Sequence, residues 1–272
     1  MRPFKIIHEY VVAYTLLALL GLICLLFSAW ALLVHPVLPR RVGTAAGRHG
    51  IMAGFRFFSW LLTVTGAYRL DLSAIDSLQE GPPVILAPNH PSLIDALLIL
   101  TRHPNIACVM KADLLDSIFL GAGSRLARYI PSDQPRQMIK DAVADLRGGG
   151  VLLLFPEGTR STRDPLNPLK ASIGVIAKHA GVPVQVAIIE TDSPYLSKGW
   201  PLFRRPNLPI TYRVRLGRRF DPPNDVSSFM TELEREYTQQ LTGSLQSEWL
   251  GGEDTAAPLG AYSQSSSQSS GR

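Results

Sequence analysis

A run of 24 residues without a charged side chain, from Val11 to Val34, constrains this chain more than any other feature of its 272 residues. At about 1.5 Å per residue, a helix of that length is roughly 36 Å long, which is enough to cross the hydrocarbon core of a bilayer. A cleaved signal peptide is the alternative, because Arg2 and Lys5 precede the run, but its apolar core has only about 7 to 15 residues. The sequence therefore predicts a membrane helix over 11–34.

A second apolar segment, residues 51–67, carries one charged residue, Arg56. It fits an interfacial helix, a second short membrane segment or a core helix of the domain that follows. Three arginines lie between the two segments and outnumber the two basic residues before the first: Arg40, Arg41 and Arg48. The positive-inside tendency then places the C-terminal side of the membrane helix in the cytoplasm.

The chain divides into three parts by composition. Residues 1–68 form an N-terminal membrane anchor, residues 69–250 a folded domain, and residues 251–272 a Ser/Gln-rich tail that we expect to be disordered. The formal charge of +5 suits anionic lipid headgroups or an anionic substrate. Nucleic acid is not an expected partner, because neither a zinc-finger spacing nor an RNA-binding aromatic motif accompanies the basic residues.

Short β-rich runs alternate with helical runs in residues 69–250, which predicts an α/β fold. The predicted strands are 84–87, 106–110, 151–155, 184–189 and 210–216, and the predicted helices are 92–101, 134–146, 170–180 and 226–245. In the last strand apolar residues alternate with Arg213 and Arg215, so we expect it at the border of the sheet or on the membrane-facing surface.

The first chemical constellation follows the first predicted strand and contains His90 and Asp95. Pro91 disfavours helical geometry at His90 but is suited to the first position of a helix, so the helix should begin just beyond the histidine. Asp95 can then bond one imidazole nitrogen and leave the other as a base. Taken alone, the pair also fits a capping histidine beside an exposed aspartate.

The second constellation, Glu157, Gly158 and Arg160, follows the strand VLLLFP. The C-terminal end of a buried strand is the usual position of a ligand site in an α/β sheet, and arginine offers a fork suited to phosphate. An ordinary surface turn explains each residue singly but not their combination. No metal site is expected, because His90 has no second ligand at suitable spacing and the two cysteines form no pattern.

The segments NHPSLID (Asn89 to Asp95) and FPEGTRS (Phe155 to Ser161) together resemble the two signature motifs of the glycerolipid acyltransferase family, which includes 1-acylglycerol-3-phosphate acyltransferases. The resemblance implies a mixed β-sheet flanked by helices, with an acyltransferase domain over 69–250. It also implies that His90 and Asp95 are the catalytic pair, with His90 deprotonating an acceptor hydroxyl that attacks the thioester of acyl-CoA or acyl carrier protein. No cofactor is expected.

The resemblance further assigns Glu157, Gly158 and Arg160 to the acceptor, with Arg160 on its phosphate. Lys111 matches a family position between the two motifs, whereas the phosphate-binding arginine of that region is replaced by IPSD, leaving Arg128 or Arg136 as displaced substitutes. The expected acceptor is a lysophospholipid, with 1-acylglycerol-3-phosphate as the first expectation, in phospholipid biosynthesis, and membrane lipids are the expected partners. The alternatives are acyl transfer to a specialised lipid, either an acylated amino-acid lipid or a chain built on a carrier protein, and a non-catalytic lipid-binding protein.

The expected location is the bacterial inner membrane, with the catalytic domain on the cytoplasmic side. A serine hydrolase is disfavoured because no Gly-x-Ser-x-Gly occurs. A phosphate-loop enzyme is disfavoured because Gly148, Gly149 and Gly150 lack the Lys-Ser/Thr ending, so they are expected to form a turn.

Overall fold

The structure is a computed structural model and describes residues 2–79, 81–162, 165–201 and 203–249. The α-helices are α1 (Arg2–Val34), α2 (Arg40–Val64), α3 (Asp95–Leu100), α4 (Gly121–Leu126), α5 (Pro135–Arg147), α6 (Ser172–Ala180) and α7 (Val226–Trp249). The strands are β1 (Tyr68–Asp71), β2 (Ile85–Pro88), β3 (Ile106–Met110), β4 (Ile130–Pro131), β5 (Val151–Leu153), β6 (Val184–Thr191) and β7 (Ile210–Phe220). The tail at 251–272 lies outside the described residues.

The strands form one sheet in the order β1-β7-β6-β2-β5-β3-β4. All neighbours are parallel except β6 and β7, which are antiparallel, so the sheet is mixed. The five predicted strands and the α/β class are confirmed. The expected position of the last strand at the border was wrong, because β1 pairs with its outer side and makes β7 an interior strand.

Helices α5, α6 and α7 pack on one side of the sheet, where they cover apolar residues of β2, β5 and β6. The opposite face of the sheet is covered by α2, α3 and the adjoining part of α1. A left-handed residue, Gly181 at φ +69°, ends α6 as the sequence predicted. The layers leave the carboxyl ends of β2, β5 and β3 at one edge, where the residues that follow these strands meet.

The described residues contain one helix long and apolar enough to cross a membrane, Pro3–Val34, with a mean hydropathy of 2.6. Its outward face is apolar and exposed, as at Phe4 and Leu33, while Leu16 is buried in the core. The second apolar segment belongs to α2, which buries Ile51, Phe58 and Leu62. It also exposes a row of large apolar side chains on its other face: Phe57, Trp60 and Val64.

Two close contacts fix α2 on the domain. A Cβ at Gly47 would lie 2.5 Å from the backbone nitrogen of Ala127, so only glycine permits this approach. Arg48 is 4% exposed and donates to the carbonyl of Ala127 at 3.1 Å, to Asn105 at 2.6 Å and to Asp145. The positive-inside argument was therefore wrong to count Arg48, because this arginine is buried in an ion pair within the protein.

Candidate active site

His90 and Asp95 are in contact at the carboxyl end of β2. Nδ1 of His90 lies 2.7 Å from Oδ2 of Asp95. The Asp95 side chain has no exposed surface, whereas the His90 side chain is 17% exposed. The N–H of Ser92 donates to the same Oδ2 at 2.8 Å, and the hydroxyl of Tyr212 donates to Oδ1. The structure thus brings together the pair that the sequence singled out.

The helix after His90 begins later than the sequence predicted. Helix α3 starts at Asp95, and residues 91–94 form a turn rather than a first helical turn. The N–H of Ser92 is bonded by the Asp95 carboxylate, and the N–H of Leu93 donates to the carbonyl of Leu196 at 3.0 Å. Because these donors have partners outside the helix, the turn is stable and lets Asp95 reach back to His90.

The His90 ring is held in one orientation. It stacks on Phe155 with ring centroids 3.9 Å apart and planes inclined by 22°. Because Nδ1 of His90 faces the Asp95 carboxylate, the imidazole tautomer with its proton on Nδ1 is favoured. Nε2 is then the basic nitrogen. In the described part of the chain no group hydrogen-bonds to Nε2. The arrangement can therefore accept a proton at Nε2 from a hydroxyl in the open part of the site.

Burial raises the pKa of the Asp95 carboxyl, and the donors that surround it act in the opposite direction. Those donors are the His90 ring, the Tyr212 hydroxyl and the Ser92 N–H. Burial, followed by the charge of Asp95, also raises the pKa of Tyr212 well above its ordinary value. Tyr212 is therefore a neutral hydrogen-bond donor at physiological pH.

Glu157 lies under the histidine loop and is 3% exposed. Its Oε1 accepts from the backbone N–H of His90 at 3.1 Å and from the hydroxyl of Ser161 at 2.6 Å, and its Oε2 accepts from the N–H of Asn167 at 3.0 Å. The N–H of Ser161 donates to the carbonyl of His90 at 2.7 Å. Residues of the second motif therefore bond both the N–H and the carbonyl of His90.

Arg160 is half-buried and turns toward the β6–β7 loop, residues 192–209. Its Nη1 donates to the carbonyls of Leu196 and Ser197 at 2.9 and 3.0 Å. Among the described residues, neither Nε nor Nη2 of Arg160 has a hydrogen-bond partner, so these donors can meet an anion. Gly158 has φ +66° and forms the turn after β5, where a Cβ would collide with the Lys170 side chain.

The remaining basic candidates are spread over the sheet. Lys111 directly follows β3, the neighbour of β5 in the sheet, and its side chain is exposed. Arg136 is exposed in the first turn of α5, which follows β4, and β4 is three strands from β2 in the sheet. Arg128 precedes β4, and burial, followed by the charge of the nearby Arg40, lowers its pKa. The structure does not place Arg128 with the histidine.

Four side chains that the sequence reasoning did not assign complete the site. Asn89 pairs with the backbone of Ile189 on β6 at 2.7 and 3.1 Å, which continues the sheet beyond β2. Ser92 donates from its hydroxyl to the carbonyl of Tyr195 at 2.9 Å. The Asn167 side chain donates to the carbonyl of Arg160 at 3.1 Å and accepts from the hydroxyl of Thr162 at 2.9 Å. The hydroxyl of Tyr212 donates to Asp95. Tyr212 had a sequence signal, because a tyrosine on the apolar face of a strand needs a partner for its hydroxyl.

The residues that the structure describes hold no group of three or more His, Cys, Asp or Glu side chains close enough to bind a metal ion. The groups that the structure brings together at the site are an imidazole, two buried carboxylates and a few arginine and lysine donors.

The chain is similar in sequence to known proteins. The profile of the Acyltransferase family matches residues 69–190. A 1-acyl-sn-glycerol-3-phosphate acyltransferase of Pseudomonas aeruginosa is 29% identical over 191 residues, which cover 68% of this chain and 70% of that protein. The enzyme of the same name from Limnanthes alba is 27% identical over 217 residues, or 77% of this chain and 71% of the relative.

The fold has a counterpart among solved structures. The crystal structure of the 1-acyl-sn-glycerophosphate acyltransferase PlsC from Thermotoga maritima matches with a TM-score of 0.65 at 19% identity, covering 94% of this chain and 100% of that one. At this identity the likeness bears on the fold alone.

The fold, the His90–Asp95 pair and the matched relatives define an O-acyltransferase. The Acyltransferase match over residues 69–190 and the similarity to 1-acyl-sn-glycerol-3-phosphate acyltransferases support membership of the glycerolipid acyltransferase family.

Proposed function

We propose that the protein transfers a fatty acyl group from a thioester, acyl-CoA or acyl carrier protein, to the free hydroxyl of a lysophospholipid, with 1-acylglycerol-3-phosphate as the first candidate. The observation that carries the proposal is the His90–Asp95 contact of 2.7 Å, with Nε2 of His90 left open. The names of the matched relatives support the acceptor.

The reaction follows from this geometry. Nε2 of His90 accepts the proton of the acceptor hydroxyl as its oxygen attacks the thioester carbonyl, and the carbon–sulfur bond then breaks. The imidazolium returns its proton to the departing thiolate, so the products are an ester and a free thiol. Asp95 stabilises the imidazolium through Nδ1 throughout. A resident cofactor has no part in these steps.

The headgroup of the acceptor rests on Arg160 and Lys111, the basic residues that follow β5 and β3 at the carboxyl edge. Glu157 is not free to bind the acceptor, since three donors of its own chain occupy its carboxylate. We propose instead that Glu157 organises the loop of His90. Acyl transfer to a specialised lipid is a second candidate, favoured by the position of Arg128 beside Arg40 rather than beside the histidine.

We further propose that the enzyme acts on lipids at a membrane surface, on the cytoplasmic side of the bacterial inner membrane. Exposed apolar side chains of α1 and α2 support membrane contact, as do Leu93, three residues from His90, and Phe119 beside α1. The lipid acceptor would then reach the histidine directly from the bilayer. The side of the membrane is tested by protease accessibility of the loops in sealed vesicles.

The proposed activity is tested with purified protein in detergent micelles. Labelled acyl-CoA and acyl carrier protein are each combined with lysophosphatidate, lysophosphatidylcholine and N-acylated amino acids, and the products are identified by mass. We expect acylated lysophosphatidate from the wild type and far less of it from His90→Ala. Loss of the general base lowers the rate of acyl transfer about 100- to 10,000-fold.

The control is membrane binding of His90→Ala, which should be unchanged because the substitution lies in a loop and not in α1 or α2. A fully active His90→Ala variant would contradict the mechanism. Products formed only with an acylated amino acid would favour the specialised acceptor, and no product with any pair would argue for a non-catalytic lipid-binding protein.

A further inference from the structure

The two oxygens of the Asp95 carboxylate have different partners. Oδ2 accepts from Nδ1 of His90 at 2.7 Å and from the N–H of Ser92 at 2.8 Å. Oδ1 accepts from the hydroxyl of Tyr212. Oδ2 of Asp95 therefore bonds His90, whereas Oδ1 bonds Tyr212, which lies 117 positions further along the chain.

Tyr212 comes from a distant part of the sheet. It lies on β7, two strands from β2, and is 1% exposed. A residue that only fills the core at this position has no need of a hydroxyl, and a buried hydroxyl without a partner costs about 1–3 kcal/mol. The hydroxyl of Tyr212 instead bonds the one carboxylate that contacts His90.

The chain contains a second buried tyrosine that serves as a structural comparison. Tyr237 on α7 has no exposed surface, and its hydroxyl donates to the backbone carbonyl of Ala87 on β2. The two tyrosines thus share burial and one hydroxyl hydrogen bond, but only the bond of Tyr212 ends on the carboxylate.

We propose that Tyr212 is a positioning residue for acyl transfer, which acts through Asp95 and makes a three-residue relay of Tyr212, Asp95 and His90. The inference rests on the proposed function. The tyrosine fixes the rotation of the carboxylate, so that Oδ2 faces Nδ1 of His90. It also supplies a donor to the anion, which keeps the carboxylate charged while the imidazole gains and loses its proton.

The hydrogen bond from Tyr212 affects the pKa of Asp95, which can be measured in a pH profile. The titratable groups that face Asp95 from the surrounding elements are His90, Tyr212 on β7 and Tyr68 on β1. Burial raises the pKa of the carboxyl and the hydrogen bond of Tyr212 opposes the rise. Removing the hydroxyl makes the carboxylate more basic, so the histidine–aspartate pair takes up a proton at higher pH.

The test compares Tyr212→Phe with Tyr237→Phe. In Tyr212→Phe we expect kcat to fall about tenfold with little change in either KM, because only the positioning of the base is altered. We expect the acid limb of the kcat/KM profile to move to higher pH. In Tyr237→Phe, which loses a buried hydroxyl without touching Asp95, we expect wild-type kcat and an unmoved profile.

A Tyr212→Phe enzyme with the kcat and pH profile of Tyr237→Phe would overturn the inference while leaving the proposed function in place. An inactive wild type would overturn the proposed function itself. If Tyr212→Phe does not fold, 3,5-difluorotyrosine at 212 provides the second test, because its more acidic hydroxyl is a stronger donor. The acid limb should then move to lower pH, and an unmoved limb would contradict the relay.

Discussion

Replacing Glu157 by glutamine removes a charge and an acceptor from beneath the histidine loop while keeping the shape of the side chain. The carboxylate accepts three hydrogen bonds, from the N–H of His90, the hydroxyl of Ser161 and the N–H of Asn167. An amide accepts on one oxygen only. Whichever way its amide is turned, Glu157→Gln directs an NH2 group at one of these backbone donors.

The size of the effect follows from these contacts. A hydrogen bond to a charged group contributes about 1.5–3 kcal/mol, and a buried donor left without a partner costs about 1–3 kcal/mol. We expect the free energy of unfolding to fall by about 3 kcal/mol, which lowers the melting temperature by about 6–12 °C for a chain of this size. Since the His90 backbone loosens, we expect kcat to fall about 10- to 100-fold.

The assay measures thermal unfolding and steady-state kinetics of Glu157→Gln in the same detergent. The control is Glu190→Gln on β6, whose carboxylate is partly exposed and pairs with Arg215, so its melting temperature should fall by less than about 3 °C. If Glu157 instead binds the acceptor, the acceptor KM rises and the melting temperature stays that of the wild type. That result would refute the organising role.

Two further substitutions test how the N-terminal helices are attached to the domain. Arg48→Met leaves Asp145 without its buried partner, so we expect about 3–5 kcal/mol less stability, measured by thermal unfolding; a wild-type melting temperature would contradict the network. Arg205→Ala removes the main partner of Glu9, which is 1% exposed on α1, and should make the β6–β7 loop more sensitive to limited proteolysis. Arg204→Ala, the exposed neighbour, is the control and should cleave as slowly as the wild type.

The sequence predicted the parts of the fold that have a strong local pattern. Strands β2, β3, β5, β6 and β7 were found because apolar runs are bounded by Gly, Pro and polar residues. Strand β1 was missed because Arg69 and Asp71 interrupt its apolar pattern, and β4 because it has only two residues and ends in Pro131. The missing edge strand is also why β7 was placed at the border.

The candidate site was predictable where one segment carries it. His90 and Asp95 are five residues apart, so a turn was enough to bring them together. Tyr212 and Glu157 approach the pair only through the order of strands in the sheet, which local patterns do not determine. The exact start of α3 was missed for the same reason, since the bond of Leu93 to Leu196 is a tertiary contact.

The β6–β7 loop connects α1 with the two motifs of the candidate site. Its residue Arg205 pairs with Glu9 on α1, and its carbonyls accept from Ser92, Leu93 and Arg160, which belong to the two motifs. A helix that only anchored the enzyme would need none of these bonds. Because α1 contributes Leu16, and α2 contributes Phe58, to the same apolar core as Ile94, which lies next to Asp95, both helices are part of the structure that holds the site. The position of α1 and the orientation of the histidine turn therefore depend on one continuous set of contacts.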